Sequence, residues 1–419
     1  MDHFELSNGA LHAEQVALST VARAVGTPVY VYSRATLERH ARVFREALSG
    51  LPSVHIAFAV KSNPNLAVLR VLAREGYGAD VVSEGEMNRA LAAGMPASDI
   101  VFSGVGKSQR ELTAAVKAGI GQFNLESEEE GVELAQIAAA LGLRATCTLR
   151  VNPDVDAGTH AKISTGKAEN KFGVPYDRAA AIYARLSTLD GLEMRGLAVH
   201  IGSQISDLEP SRQAFVKMGV LMRELREQGL TVTHMDLGGG LGVPYRPGES
   251  LPTPADYGAM VAEVAGDWDV TVMFEPGRVI SGNAGVLVTE VIRVKEGAGA
   301  PWVVVDAAMN DLARPAMYDA WHDFAAVEPT GETFEANVVG PICESSDTFA
   351  KNRLIDRVKA GDLAVFRTAG AYGATMANTY NSRALVPEVM VDGEKWAIVA
   401  ERIEPSTILA AEQVPDWLA

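Results

Sequence analysis

VHIAFAVKSNPNLAVLRVLAREG, residues 54–76, is the stretch that decides the fold. Its first seven residues, VHIAFAV, are almost wholly apolar, the composition of a buried strand. The remainder from Asn65 places apolar side chains at helical spacing and stops at Gly76, a common helix end. The same strand-then-helix unit recurs along the chain. Strands are predicted at ADVVS (79–83), IVFSG (100–104), QFNLES (122–127), ATCTLRV (145–151), LAVHIG (197–202), HMDLGG (234–239) and TVMFEP (271–276), with segments such as SEEEGVELAQIAAALG and PSRQAFVKMGVLMRELREQG between them. Eight strands separated by helices predict an α/β fold, a parallel (β/α)8 TIM-like barrel rather than an open doubly wound sheet. That barrel is assigned to residues 28–280. From about residue 281 helical periodicity fades, and GVLVTEVIRV, WVVVDA, EANVVG, DLAVF, PEVMV and WAIVA take over. These predict a β-rich second domain, sandwich- or barrel-like, made of residues 281–419 together with 1–27.

Bulk properties agree with two globular domains. The 419 residues are 47% hydrophobic and 21% charged, enough to build a core without disulfides or a structural metal. A formal charge of −16 disfavours nucleic acid or an anionic membrane as partner. The two cysteines, Cys147 and Cys343, form no disulfide framework and fit a reducing cytoplasm. The start, MDHFELSNGA, lacks a signal pattern, and no apolar run is long enough to span a membrane.

The chemistry-bearing residues fall just after predicted barrel strands, where barrel enzymes build their sites. Lys61 follows the first strand, where an apolar setting would desolvate its amine and suit it to Schiff-base chemistry; taken alone it reads more readily as a rim lysine capping the barrel mouth. His200 follows the sixth strand, and by itself is more often a satisfied core or rim group. DLGGGLG after the seventh strand carries Gly238, Gly239 and Gly240, whose N–H groups can approach a phosphate or simply form a turn. FEPGR after the eighth offers Glu275, Gly277 and Arg278, a surface ion pair or a cofactor clamp. In the second domain, GPICESSD holds Cys343 and Glu344, DAAMNDLARPAMYDA holds Arg314 and Tyr318 four residues apart, and RTAGAYGATMANTYN holds Tyr372.

Together AVKSNPN, GADVVSEGE, NPDVDAGTH, KFGV, HIGSQ, DLGGGLG, EPGR, CESSD and GAYGATMANTYN resemble, in order and over nearly the whole chain, the diaminopimelate decarboxylases. These belong to the alanine-racemase-like barrel class of pyridoxal phosphate enzymes. The resemblance implies decarboxylation of meso-diaminopimelate to L-lysine and carbon dioxide, the last step of lysine biosynthesis. It implies that Lys61 carries pyridoxal 5'-phosphate, that His200 stacks on its ring, and that Glu275 pairs with the pyridine nitrogen. Ser203, Gly239, Gly240, Gly277, Arg278 and Tyr372 would hold the phosphate. Cys343 would return a proton, and Arg278, Arg314, Tyr318, Glu344 and Tyr372 would grip the substrate. It further implies a cytoplasmic homodimer with sites at the subunit interface, a small amino-acid substrate, and no metal. The sequence departs from the common pattern at Glu84, Lys162, Thr375 and Ala377, none of which has an assigned catalytic role.

Rival readings share parts of this pattern. Ornithine, arginine and carboxynorspermidine decarboxylases share the scaffold, and activity across a substrate panel separates them; the substrate of an ornithine or lysine decarboxylase has no far carboxylate for two arginines to bind. Racemases of this barrel class place an arginine at the ring nitrogen, against Glu275. A non-catalytic pyridoxal phosphate carrier is usually a single barrel.

Overall fold

All eight apolar runs form strands, and the strands close on themselves in parallel. They are β1 Val54–Ala59, β2 Gly78–Val81, β3 Ile100–Phe102, β4 Gln122–Leu125, β5 Ala145–Asn152, β6 Leu192–Ala198, β7 His234–Asp236 and β8 Thr271–Phe274. Each pairs with the next, and β8 returns to β1 with Val272 opposite Val54, so the barrel has no open edge. The structure, a computed structural model, describes residues 2–158, 165–166, 170–297 and 299–418. The end of the NPDVDAGTH block and Lys162 lie outside the described residues.

The chain divides into two compact units, Glu38–Val243 with Ser250–Ile280, and Met1–Leu37 with Pro244–Glu249 and Ser281–Ala419. In the first, which holds the barrel, helices begin where the sequence supplies a cap. Asn65 accepts from Ala67 N–H to start the helix Leu66–Arg74. Ser108 and Glu111 form a capping box ahead of Gln109–Ala118, which ends at Gly119 in the left-handed region (φ 67°). Fully buried Phe274, at the end of β8, meets Phe44 at 6.2 Å and Tyr257 at 6.1 Å, both edge-on. This cluster packs the helices Arg34–Ala47 and Pro254–Ala265 against the strand that leads into Glu275.

Strand β6 departs from its predicted span. It starts five residues earlier and ends two residues short of His200. Glu193 and Arg195 disguise it as loop, yet they face outward and pair with each other at 3.0 Å.

The second unit is built on a sheet ordered Thr348–Asp356, Thr333–Val339, Trp302–Val305, Gly285–Lys295, Val29–Ser33, Glu388–Asp392 and Lys395–Ala400. Two further strands, Leu363–Phe366 and Phe324–Ala326, are joined through Gly285–Lys295. Its core takes Val29 and Val31, Val286 and Val288, and Val389 and Val391 from one face of the sheet. The residues between them on the two central strands, Tyr30, Tyr32 and Leu287, are buried as well, so these strands are covered on both faces. Phe4, Leu11, Val16, Leu18 and Val21 of the N-terminal segment join the same core. Residues 28–37, which the sequence reading gives to the barrel, lie in this unit because Val29–Ser33 pairs with Gly285–Lys295 and Glu388–Asp392.

Replacing Phe274 by alanine is expected to destabilise the barrel by about 3–5 kcal/mol, the usual cost of emptying a buried aromatic site. Denaturant unfolding of the purified protein measures this; a midpoint equal to that of the parent chain would contradict the role given to the cluster.

Candidate active site

The chain leaves β1 at Ala59 and makes one tight turn, Val60–Ser62, which lifts Lys61 out of the barrel wall. The Lys61 Nζ then lies 2.9 Å from Asp80 Oδ2; the lysine side chain is 39% exposed and the aspartate 0%. The setting therefore differs from the apolar one expected for this lysine. Its amine opens to the barrel mouth and meets a buried counter-charge from β2, whose Asp80 sits opposite Ala59.

Two more carboxyl groups share the barrel interior. Asp236, on β7, takes the Gly238 N–H at 2.9 Å and the Asn124 Nδ2–H at 3.0 Å. Glu275, just past β8, takes Asn124 Nδ2–H at 3.1 Å and the Ser103 hydroxyl at 3.2 Å, and hydrogen bonds to Asp236. Burial, reinforced by the charges of Asp236 and Asp80 and opposed by Lys61, pushes the Glu275 carboxyl well above the usual carboxylate range. Burial raises Asp236 as well, while its donors from Asn124 and Gly238 oppose the rise. A proton held between the two therefore belongs on Glu275, whose acidic oxygen can donate it.

Around this floor stand the remaining barrel residues. His200 Nδ1 accepts the Gly239 N–H at 3.2 Å, which places the ring proton on Nε2. Burial, with the charges of Arg150 and Lys61, pushes the imidazole well below its ordinary value and keeps it neutral. Arg278 is buried and donates from Nη2 to Ser203 Oγ at 3.1 Å. The loops after β7 and β8 touch so closely that a Cβ on Gly239 would lie 2.1 Å from the Glu275 carbonyl oxygen. At Gly277 a Cβ would press on Ala59 and Ser62 at 3.1 Å. Only glycine permits the first approach, and a side chain at Gly277 would need Ala59 or Ser62 to give by a few tenths of an ångström. Gly240 follows with φ +119°.

Lys61, His200, Ser203, Gly239, Gly240, Glu275, Gly277 and Arg278 thus converge on the C-terminal end of one barrel. Asp80, Ser103, Asn124 and Asp236 support them, and the sequence reading assigned none of these four a role. Their signal was a polar residue embedded in a strand run: ADVVS, IVFSG, QFNLES and HMDLGG. The pair Arg150–Glu126 (2.7 Å) was missed in the same way, and Glu126 also accepts the Gly173 N–H of KFGV at 2.7 Å.

In the second unit, Arg314 and Tyr318 open and close a single helical turn, Arg314–Tyr318, as their spacing predicts. Cys343 and Glu344 lie on an exposed loop. Asp347 fixes that loop, its carboxylate accepting Ile342 N–H and Met309 N–H, each at 2.7 Å. Glu344 accepts hydrogen bonds from Ser346 and Tyr380, which hold its carboxylate below the usual range. Tyr372 sits in the left-handed region at φ 56°, between Gly370 and Gly373.

The barrel residues fit pyridoxal phosphate in their chemistry: an amine for the aldehyde, a neutral imidazole for a ring face, a proton-bearing carboxyl for the pyridine nitrogen, and a glycine loop with Arg278 and Ser203 for the phosphate. Among the described residues, no group of three or more His, Cys, Asp or Glu side chains is arranged to hold a metal ion, and no helix is long and apolar enough to cross a membrane.

Residues 34–282 match the family model of the pyridoxal-dependent decarboxylases, pyridoxal binding domain. The diaminopimelate decarboxylase of Zymomonas mobilis is 48% identical over 418 residues, 99% of either chain. The crystal structure of diaminopimelate decarboxylase from M. jannaschii in co-complex with L-lysine superposes with a TM-score of 0.95 at 33% identity, covering 100% of this chain and 99% of that one. The Helicobacter pylori diaminopimelate decarboxylase complexed with L-lysine gives a TM-score of 0.90 at 37% identity, covering 94% and 98%. With the decarboxylase fingerprint at the barrel mouth and relatives alike from end to end, this chain belongs to the diaminopimelate decarboxylases of the pyridoxal-dependent decarboxylase family.

Proposed function

We propose that this chain decarboxylates meso-diaminopimelate to L-lysine and carbon dioxide, the last step of lysine biosynthesis, with pyridoxal phosphate as cofactor. The observation that carries this reading is the convergence of Lys61, His200 and Glu275 on one barrel mouth, above a floor of hydrogen-bonded carboxyl groups. Bound there, pyridoxal phosphate supplies the electron sink for the pair released when the carbon–carboxylate bond breaks.

The protein's own groups do the rest. The Lys61 amine would hold the cofactor through its aldehyde, and Asp80, 2.9 Å away, would stabilise the amine in its ammonium form. Glu275, its carboxyl raised by burial, would pair with the pyridine nitrogen and could supply it with a proton. His200, neutral and oriented by the Gly239 N–H, covers one ring face. The Gly239–Gly240 loop, Ser203, the backbone at Gly277 and Arg278, and Tyr372 would bind the phosphate, which leaves the Arg278 guanidinium for the substrate. Cys343 delivers a proton from Sγ to the substrate carbon that has lost carbon dioxide, which yields an amine and spares the cofactor. Arg278 and Arg314 receive the far carboxylate through charge-assisted hydrogen bonds, Glu344 the far ammonium, and Tyr318 and Tyr372 flank them.

The working form is a homodimer in which Cys343, Glu344 and Tyr372 of one subunit complete the site of the other. The exposure of Cys343 and Glu344 on a preformed loop supports this, as do the outward-facing Leu409, Trp417 and Leu418 (66%, 80% and 63% exposed). The two thiols, both free, fit a reducing cytoplasm.

Purified protein supplied with pyridoxal phosphate is expected to make lysine and carbon dioxide from meso-diaminopimelate and not to decarboxylate ornithine, arginine or carboxynorspermidine. Carbon dioxide from one of the latter alone would overturn the reading of Arg278, Arg314 and Glu344 while leaving that of Lys61 standing. Lys61→Ala is expected to abolish the visible absorbance of lysine-bound cofactor; an unaltered spectrum removes Lys61 as the anchor. Cys343→Ala is expected to lower kcat by about 10²–10⁴-fold, the usual contribution of a positioned acid, with little change in KM. Steady-state kinetics decides this, and parent-like kcat removes Cys343 as proton donor.

A further inference from the structure

Arg314 is buried, yet its guanidinium is not left to find its own direction. Its Cζ lies 4.6 Å from the centroid of the Tyr245 ring, a cation–π contact. Its Nη1 lies 2.9 Å from Nε2 of His322, which is 1% exposed. The other ring nitrogen of His322, Nδ1, lies 2.9 Å from the Arg367 carbonyl oxygen. The Tyr245 and His322 rings meet edge to face at 5.3 Å.

These partners fix the state of the histidine. A guanidinium offers only N–H donors, so Nε2 presents its lone pair. A carbonyl oxygen only accepts, so Nδ1 carries the hydrogen. One neutral tautomer satisfies both, and the chain carbonyl–imidazole–guanidinium runs in one direction. The link aims the guanidinium without neutralising it, whereas a carboxylate in the same place would cancel the charge that an anionic ligand needs.

The backbone around His322 is pinned from two sides. Phe324 pairs with Phe366, and Arg367 N–H donates to the Asp323 carbonyl at 2.9 Å, which sets residues 322 and 367 side by side. From the strand Thr348–Asp356, Arg353 stacks on the neighbouring Trp321 at 3.4 Å and donates to the His322 carbonyl at 2.7 Å. Arginine is a long, flexible side chain, and holding it before ligand arrives moves its loss of freedom from binding to folding.

We propose that His322 is a positioning residue for Arg314: its neutral imidazole, held by the Arg367 carbonyl, sets the guanidinium that receives the far carboxylate of the substrate and so contributes to substrate choice. The inference rests on the role given to Arg314 above. L-lysine, the product, keeps the far carboxylate, and cadaverine is the same diamine without it, so the two ligands separate carboxylate recognition from everything else.

The experiment measures dissociation constants of L-lysine and cadaverine on the pyridoxal phosphate-loaded enzyme, with kcat and KM for meso-diaminopimelate. The variants are His322→Phe, His322→Gln and Arg314→Met. His322→Phe keeps a ring but loses the acceptor. It is expected to weaken L-lysine and raise KM by about 10- to 100-fold, by analogy with the range seen when a group that orients a metal-ligating side chain is removed. Cadaverine affinity and cofactor absorbance should stay as in the parent enzyme. His322→Gln restores an acceptor and should recover most of the L-lysine affinity. Should the phenylalanine variant not fold, His322→Asn, too short to reach Arg314, carries the same test. L-lysine binding at parent strength in the acceptor-less variant, or equal losses for both ligands, overturns the role of His322. If Arg314→Met leaves L-lysine binding intact, the role of Arg314 falls, and with it that of His322.

Discussion

Three carboxyl groups, Asp80, Asp236 and Glu275, share the interior of one closed barrel, and the arrangement of the site follows from how that crowding is relieved. Three buried negative charges at close quarters would repel one another strongly in a medium far less polarisable than water. The Lys61 ammonium answers Asp80. Asn124 and the Gly238 N–H answer Asp236. Glu275 is left holding a proton. On the proposed reading each solution is also a functional asset, the counter-charge serving as the cofactor's anchor and the retained proton as the partner of the ring nitrogen. The same network explains why Asn124, Ser103 and Asp236 occupy strand ends that would otherwise be apolar.

The barrel was legible because each of its strands is a short apolar run and each following helix restores the 3.6-residue period. The positions of Lys61, His200, Glu275 and the glycines could be read for the same reason, as they stand just beyond those runs. What escaped was whatever contradicts local pattern. Asp80, Asn124 and Asp236 are polar residues inside strands, and their purpose is visible only when neighbouring strands bring them together. The outward Glu193–Arg195 pair hid the first half of β6. In the second unit, Thr348–Asp356 was not anticipated although it is long, because Lys351, Asn352 and Arg353 break its alternation and Asn352 adopts φ 44°. Val29–Ser33 stands far in sequence from the strands it joins, and no local signal announces such a partner.

Charge is handled differently in the two units. The barrel matches Lys61 with a carboxylate, whereas the second unit holds Arg314 with an aromatic face and a neutral imidazole. The first arrangement suits an amine that must be kept in place between covalent partners. The second suits a cation that receives an anion from outside. The loop bearing Cys343 follows a third course: Asp347 accepts two backbone N–H groups and builds the turn, leaving the thiol and Glu344 outward.

The depth of the carboxyl cluster has a further consequence. Asp80 and Asp236 are essentially inaccessible to solvent (0% and 1% exposed), so mobile ions cannot gather around them as they do around surface charges. Those two charges therefore act on Glu275 with little screening by salt, whereas Lys61, 39% exposed, is within its reach. Surface pairs such as Arg212–Glu263 weaken as ionic strength rises, while the interactions among the buried carboxyl groups change less.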